Sequence, residues 1–216
     1  LPMKKLLTEW RKYILTEAMK TAADLPEGSG VAMISTGNSP MFVYTFDGKP
    51  LYDKPRRPEY SGVPEGAPWG EVVTKKLPRN CLGGYNVQYS NTKTGWGPLL
   101  YDVAIEWATE QGSGLTSDRG EVSRDAYRVW NYYLRKRPDV EAAELDITNR
   151  GYEKITPDDE SDDCEQIVSI SWARKNNSHK DFGWSGEPTA YLYRVSGTPT
   201  MDALRSSGQL LDLEQE

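Results

Sequence analysis

The sequence predicts an α+β fold built on one mixed sheet, and three observations point there. Short β-prone runs at Val31–Ser35, Met41–Phe46, Val72–Lys76 and Leu82–Ser90 follow one another, separated by turn compositions. Two segments with 3.6-residue apolar spacing, Pro98–Gln111 and Arg124–Arg137, come next and read as helices. The chain has 216 residues, enough for one domain with a sizeable core.

Taken in order, the first element is an amphipathic helix over Leu6–Met19. Leu6, Trp10, Ile14 and Leu15 share one face, while Lys5, Glu9, Lys12 and Thr16 fall elsewhere. It lacks the continuous apolar stretch of a secretory signal. Ala22–Gly30 has the composition of a linker. Residues 1–27 therefore read either as a helix docked on the core or as a detachable targeting peptide, ahead of a single domain over 28–216. Thr36-Gly37-Asn38-Ser39-Pro40 joins the first two strands as an antiparallel hairpin, and Asp47-Gly48 makes the next turn. Five prolines between Lys49 and Trp69 predict a long irregular loop. Gly83-Gly84 predicts a bulge in the fourth strand, Leu82–Ser90.

Leu99, Leu100, Val103, Ala104, Trp107 and Ala108 give the next helix its buried face, with Pro98 in its first turn and Gly112 and Gly114 at its end. Leu115–Asp118 reads as a short strand. Ser123 is the expected N-cap of Arg124–Arg137, which stops before Pro138. Residues Glu153–Glu165 hold seven acids against one lysine and read as a solvated loop. Glu165–Ala173 and Ala190–Val195 read as β segments, and Pro199–Leu211 as a last helix.

Composition excludes several function classes. The net charge is −6, which disfavours general nucleic-acid binding, since that needs a basic surface. No apolar run approaches the ~20 residues that span a bilayer. Cys81 and Cys164 make neither a disulfide framework nor a zinc set and read as buried, inert thiols, and the single His179 excludes a histidine-rich site, so no metal is expected.

The informative stretch runs strand, glycine-containing loop, helix. Lys93-Thr94-Gly95-Trp96-Gly97 stands just before the helix at Pro98. Unpaired N–H groups at a helix start suit a pyrophosphate, and glycines let phosphates approach the backbone. Lys93 could add a charge-assisted contact. A tight strand-to-helix turn would explain the same residues without a ligand. A dinucleotide fold would need a third glycine where Leu100 stands, and the spacing of a nucleotide-triphosphate loop is absent. A coenzyme A pyrophosphate remains.

Thr92-Lys93-Thr94-Gly95-Trp96-Gly97-Pro98-Leu99-Leu100, running into Ala104-Ile105-Glu106-Trp107-Ala108, resembles motif A of the GCN5-related N-acetyltransferases. Gly114–Asp118 is similar to that family's fifth strand, and Ser123-Arg124-Asp125-Ala126 followed by Val129-Trp130 is similar to its motif B. More narrowly, Ser117-Asp118-Arg119, Asp162-Asp163-Cys164 and Gly197-Thr198-Pro199 resemble acetyltransferase-like proteins of tailed bacteriophages.

The resemblance implies a mixed sheet flanked by helices and splayed at a bulged fourth strand. It implies that acetyl-coenzyme A is the acyl donor and that an amine of a protein or small molecule is the acceptor. Backbone groups of Val87, Gln88 and Tyr89 would hold the pantetheine arm, residues Lys93, Thr94, Gly95, Trp96, Gly97 and Pro98 would hold the pyrophosphate, and Ser123 would lie near the pantetheine arm or the thiol. Two departures stand out. Thr92 occupies the family's Gln/Arg position, and Trp130 occupies the place of a tyrosine acid, for which Tyr127 and Tyr133 are the candidate substitutes, Tyr133 being the one carried forward as catalytic. Glu71, Asp102 and Asp118 are base candidates by type alone. The departures leave a second reading open, a non-catalytic relative associated with phage virion proteins. Leu15-Thr16-Glu17 resembles the sites cut by prohead proteases. The expected location is the host cytoplasm on the first reading and the virion on the second.

Overall fold

In the computed structural model, residues 19–35, 37–53, 62–146, 156–165 and 187–214 are described. Among them the chain forms a mixed α+β fold with one sheet of nine strands: β1 (Ser29–Ser35), β2 (Met41–Phe46), β3 (Lys49–Pro50), β4 (Gly70–Lys76), β5 (Tyr85–Thr92), β6 (Leu115–Thr116), β7 (Val140–Glu144), β8 (Tyr191–Val195) and β9 (Leu210–Glu214). Three α-helices accompany them: α1 (Gly97–Glu110), α2 (Arg124–Lys136) and α3 (Pro199–Ser206).

The strand order is β7-β8-β6-β5-β4-β2-β1-β9, with β3 added to β2. The β1–β2 pair is the antiparallel hairpin expected from the intervening turn composition. Asp47 and Gly48 both adopt positive φ, 47° and 75°, the geometry that a two-residue hairpin turn requires between β2 and β3. Pairs β1–β9 and β5–β6 are parallel, which makes the sheet mixed.

The main core lies on one face of the sheet. Leu99, Leu100, Val103 and Ala104 of α1, Trp130 and Tyr133 of α2, and Met201 and Leu204 of α3 all join it. It meets Val31, Phe42, Tyr44, Val72 and Val87 from the strands. Along β8, Tyr191 and Tyr193 belong to this core while Leu192 belongs to a second cluster with Leu145, Cys81 and Cys164. Side chains alternate across a strand, so the second cluster lies on the opposite face. Ala32, Ile34 and Val43 form a third cluster, separated from Val31 and Phe42 by the same alternation.

Several expectations are corrected. The bulge lies at Gln88, where pairing jumps from Val73–Tyr89 to Thr74–Val87, and not at Gly83-Gly84. Those glycines precede β5: Gly83 has φ +60°, and a Cβ on Gly84 would meet the Leu192 Cδ1 methyl and lie 3.3 Å from the Cys81 and Gly114 carbonyl oxygens, so Leu192 would have to shift to admit a side chain there. The Pro199–Leu211 segment is helical only to Ser206. Gly208, at φ 70°, turns the chain so that Leu210–Glu214 pairs with β1. Val140–Glu144 has weak β propensity and is a strand because β8 pairs along its length. Cys81 and Cys164 are not free thiols but a disulfide, with Cα atoms 4.6 Å apart. The acidic segment is not wholly solvated, since Asp162 and Cys164 are buried.

The composition read as a linker holds a 3-10 turn, Ala22–Asp24, and Ala22 and Leu25 pack against the main core. Most of the expected helix at Leu6–Met19 falls in residues 1–18, and the expected strand after Glu165 falls in 166–186, outside the described residues. No helix of the described residues is long and apolar enough to cross a membrane.

Candidate functional site

The β5–β6 pair begins at Tyr85–Leu115 and Asn86–Thr116 and goes no further. Two sets of bonds pull the strands apart. Beyond the bulge β5 stays in register with β4, with Ser90 opposite Val72 and Thr92 opposite Gly70. The chain leaving β6 is held toward β8 instead. Thr116 Oγ1 donates to the Tyr191 carbonyl at 2.7 Å, and the Arg119 guanidinium donates to the Thr189 carbonyl at 2.7 Å and to the Glu165 carbonyl at 3.3 Å. Arg119 is buried, and burial lowers its pKa to about 9. Where the strands part, the backbone edge of β5 has no strand opposite it among the described residues.

The result is an open cleft of about 410 Å³. Its walls are Val87, Gln88, Tyr89 and Ser90 of β5, Tyr101 of α1, Asp118, Glu121, Val122 and Ser123 of the connection, and Ala126 and Trp130 of α2. Val87 and Trp130 also belong to the main core, so one wall is anchored. Gln88 and Tyr89 are exposed. The Tyr101 hydroxyl donates to Ser90 Oγ at 3.0 Å, and burial pushes its phenol up to about 12, against the smaller opposing effect of that hydrogen bond. Asp118 Oδ1 accepts the N–H groups of Gly120 and Glu121 and so fixes the turn that forms the cleft rim. Ser123 Oγ accepts the Ala126 N–H at 3.2 Å as the N-cap of α2. That contact leaves the hydroxyl proton unspent.

The fold thus brings Val87, Gln88, Tyr89 and Ser123 together around one space. The loop Lys93–Pro98 does not line this cleft, although Ser90 and Tyr101 carry the wall from it toward the start of α1. There Gly95 has φ +85° with open space at its Cβ position, and Thr94 is exposed. Pro98 has no N–H, and no side chain of the described residues caps α1. Trp96 is buried. Its N–H donates to the Lys93 carbonyl, its carbonyl accepts the Tyr44 hydroxyl at 2.6 Å, and its ring meets Tyr44 edge-on. Gly97 is tight, since a Cβ there would lie 3.1 Å from Thr92 Oγ1.

Two expected site residues are engaged elsewhere. Lys93 Nζ donates to the carbonyls of Glu65, Gly66 and Ala67, at 3.2, 2.7 and 3.1 Å, and ties the proline-rich loop to the end of β5. Tyr133 is buried in the main core and is absent from the cleft wall. Its hydroxyl donates to Asp102 Oδ1 at 2.8 Å, and burial together with the Asp102 charge drives its pKa far up. Asp102 is in turn paired with Arg137 at 2.7 Å. Of the base candidates, Asp118 lines the cleft, while Asp102 and Glu71 do not.

Sequence reasoning missed Tyr101, Ser90 and Arg119. Tyr101 follows the apolar period of α1 and is hard to tell from a core residue. A buried arginine beside a two-residue strand has no local signature at all. Comparisons with protein-family models, curated proteins and solved structures give no match.

Proposed function

We propose that the chain is an acetyl-coenzyme A-dependent N-acyltransferase of the GCN5-related type, moving an acetyl group to an amine of a protein or small molecule. One observation carries the reading: a parallel strand pair that opens after two positions, beside a bulge at Gln88, onto a cleft walled by the next helix's N-terminus. A flat, fully paired sheet would leave no slot for an extended arm.

The residues fit such a group. The open edge of β5 offers backbone donors and acceptors to an amide-bearing arm. The uncapped first turn of α1, which opens at Gly97 just after Gly95, favours an anionic phosphate, and Lys93 adds only its residual field because its ammonium is already bound. When bound, the cofactor supplies an activated thioester carbonyl. A β5 N–H would stabilise the oxyanion formed when a neutral amine attacks that carbon. Balanced transfer would require the proton leaving the amine to pass, directly or through water, to the thiolate sulfur as its bond to the acyl carbon breaks. Ser123 Oγ and the exposed Tyr89 phenol are hydroxyls of the cleft-wall residues, and the Tyr101–Ser90 pair is a further one.

The test is calorimetric titration of the full chain with acetyl-coenzyme A. Saturable binding that Gly97→Glu abolishes supports the reading, because the new carboxylate would sit where phosphate is expected. Absence of binding at millimolar ligand overturns it.

Two observations favour a second reading, a non-catalytic relative carried in a phage virion. Tyr133 is sealed by Asp102 rather than offered to a thiolate. The Cys81–Cys164 disulfide suits an oxidising setting better than a reducing cytoplasm. Cofactor binding without acetyl transfer to any of a broad panel of amines, together with the chain's presence in purified virions, would select this reading.

A further inference from the structure

We propose that Asp146, Asp162 and Asp163 form a binding site for a hard divalent cation of the calcium class, built where the acidic segment is stapled to the sheet. The three side chains each bring a carboxylate oxygen to within 4.8 Å of the other two. Asp146 and Asp162 are almost wholly buried, at 2% and 8% exposure. Like charges at such separation and burial repel strongly unless a proton or a cation lies among them.

The second observation is at Asp162. Its Oδ2 accepts the Thr156 hydroxyl at 2.6 Å, while its Oδ1 is fully enclosed and has no hydrogen-bond partner. A buried carboxylate oxygen left without a donor is costly, and a cation is the partner that three converging carboxylates select. Thr156 Oγ1 also lies 3.3 Å from Asp146 Oδ2, and one hydroxyl carries one proton, so it cannot donate fully to both acids.

The backbone is set before any ion arrives. Asp146 and Asp163 face each other across an isolated parallel bridge. The Asp146 N–H donates to the Asp162 carbonyl, and the Cys164 N–H to the Asp146 carbonyl, at 2.8 and 2.7 Å. Asn80 Nδ2 holds the Asp163 carbonyl, the Leu82 N–H holds the Ser161 carbonyl, and the disulfide fixes Cys164 beside them. An all-oxygen donor set suits hard cations, and an irregular loop accommodates the variable coordination of calcium better than the strict octahedron of magnesium.

The experiment is calcium titration of the chelator-treated, oxidised full chain, by calorimetry and by terbium luminescence sensitised by the protein's aromatic residues. The expected result is saturable one-to-one binding and a rise in Tm, retained in excess magnesium. Asp162→Asn keeps the side-chain shape and should weaken binding about tenfold or more. Asp158→Asn, at an exposed acid of the same segment, should leave it unchanged. No binding by the folded wild-type chain at millimolar calcium overturns the proposal without reliance on any variant. Binding lost equally in Asp158→Asn and Asp162→Asn also overturns it, since that would be diffuse attraction to an acidic surface.

Discussion

The two faces of the sheet are held by different means. On the helix-covered face, burial is continuous from Val31 through α1 to Leu204, and Trp130 stacks on Tyr193 with ring centroids 5.2 Å apart. On the opposite face beside β8, the enclosed cluster among the described residues is Cys81, Leu145, Cys164 and Leu192. The segment that packs there is the most acidic in the chain, with six carboxylates among the eight residues from Asp158 to Glu165. Burial of apolar area scales with the area available, and such a segment has little to contribute. A covalent bond across 83 residues of sequence takes that place. Where a helix supplies a regular apolar stripe, the chain organises itself. Where charge dominates, it is tied.

The sharpest break of this comparison is Trp130→Ala. Trp130 is 1% exposed and meets Tyr101, Tyr133 and Tyr193, so its truncation should cost about 3–5 kcal/mol in urea unfolding, with or without reductant. Removal of the tie by the paired change Cys81→Ser and Cys164→Ser should cost somewhat less, roughly 2–4 kcal/mol for a long closed loop, and only against the oxidised wild type. Reduced wild type should match the double variant. If reductant leaves wild-type stability unchanged, the second face is held by something other than its disulfide.

This contrast also explains how far the sequence could be read. The helices α1 and α2, the β1–β2 hairpin, the Asp47-Gly48 turn and the Ser123 cap were legible because each depends on residues a few positions apart. β7 and β9 were not, since Val-Glu-Ala-Ala-Glu and Leu-Leu-Asp-Leu-Glu become strands only when β8 and β1 lie alongside. The disulfide joins distant positions and leaves no local mark. In the cleft, the strand residues Val87–Tyr89 and the cap Ser123 could be named from the family resemblance. The cause of the opening could not, because Arg119 works through carbonyls that are 46 and 70 positions away. Tyr133 and Lys93 have the right chemistry for a site, and each is drawn off by partners that no spacing rule anticipates.

Tyr133→Phe tests the first of those assignments. It removes the hydroxyl that donates to Asp102 while Arg137 remains on the same carboxylate, so the expected cost is about 1 kcal/mol of stability. Coenzyme A affinity and any transfer rate should not change. A loss of rate with stability intact would place the phenol in the chemistry and revise the account of the cleft.

The smallest effect expected is a pH dependence, and it asks whether the helix-covered face is as purely apolar as the comparison implies. Glu106 is 2% exposed within that face, and its two oxygens accept the N–H groups of Thr200 and Met201 at 2.8 and 2.7 Å, at the start of α3. Burial raises its pKa from the ordinary 4.5, and these donors oppose the shift without cancelling it. A carboxyl whose pKa is higher in the folded state binds its proton more tightly there. Its contribution to stability is therefore fully present below the unfolded value and is lost as the pH rises through the folded one. The stability of wild type minus that of Glu106→Gln should fall as the pH is raised from about 4 to about 7, then level off. Urea unfolding of both chains across that range isolates Glu106 from the other carboxylates. A difference that grows with pH would mean the two helix-start donors outweigh burial. In that case this face too would be held in part by an electrostatic tie, and the contrast between the faces would be one of degree.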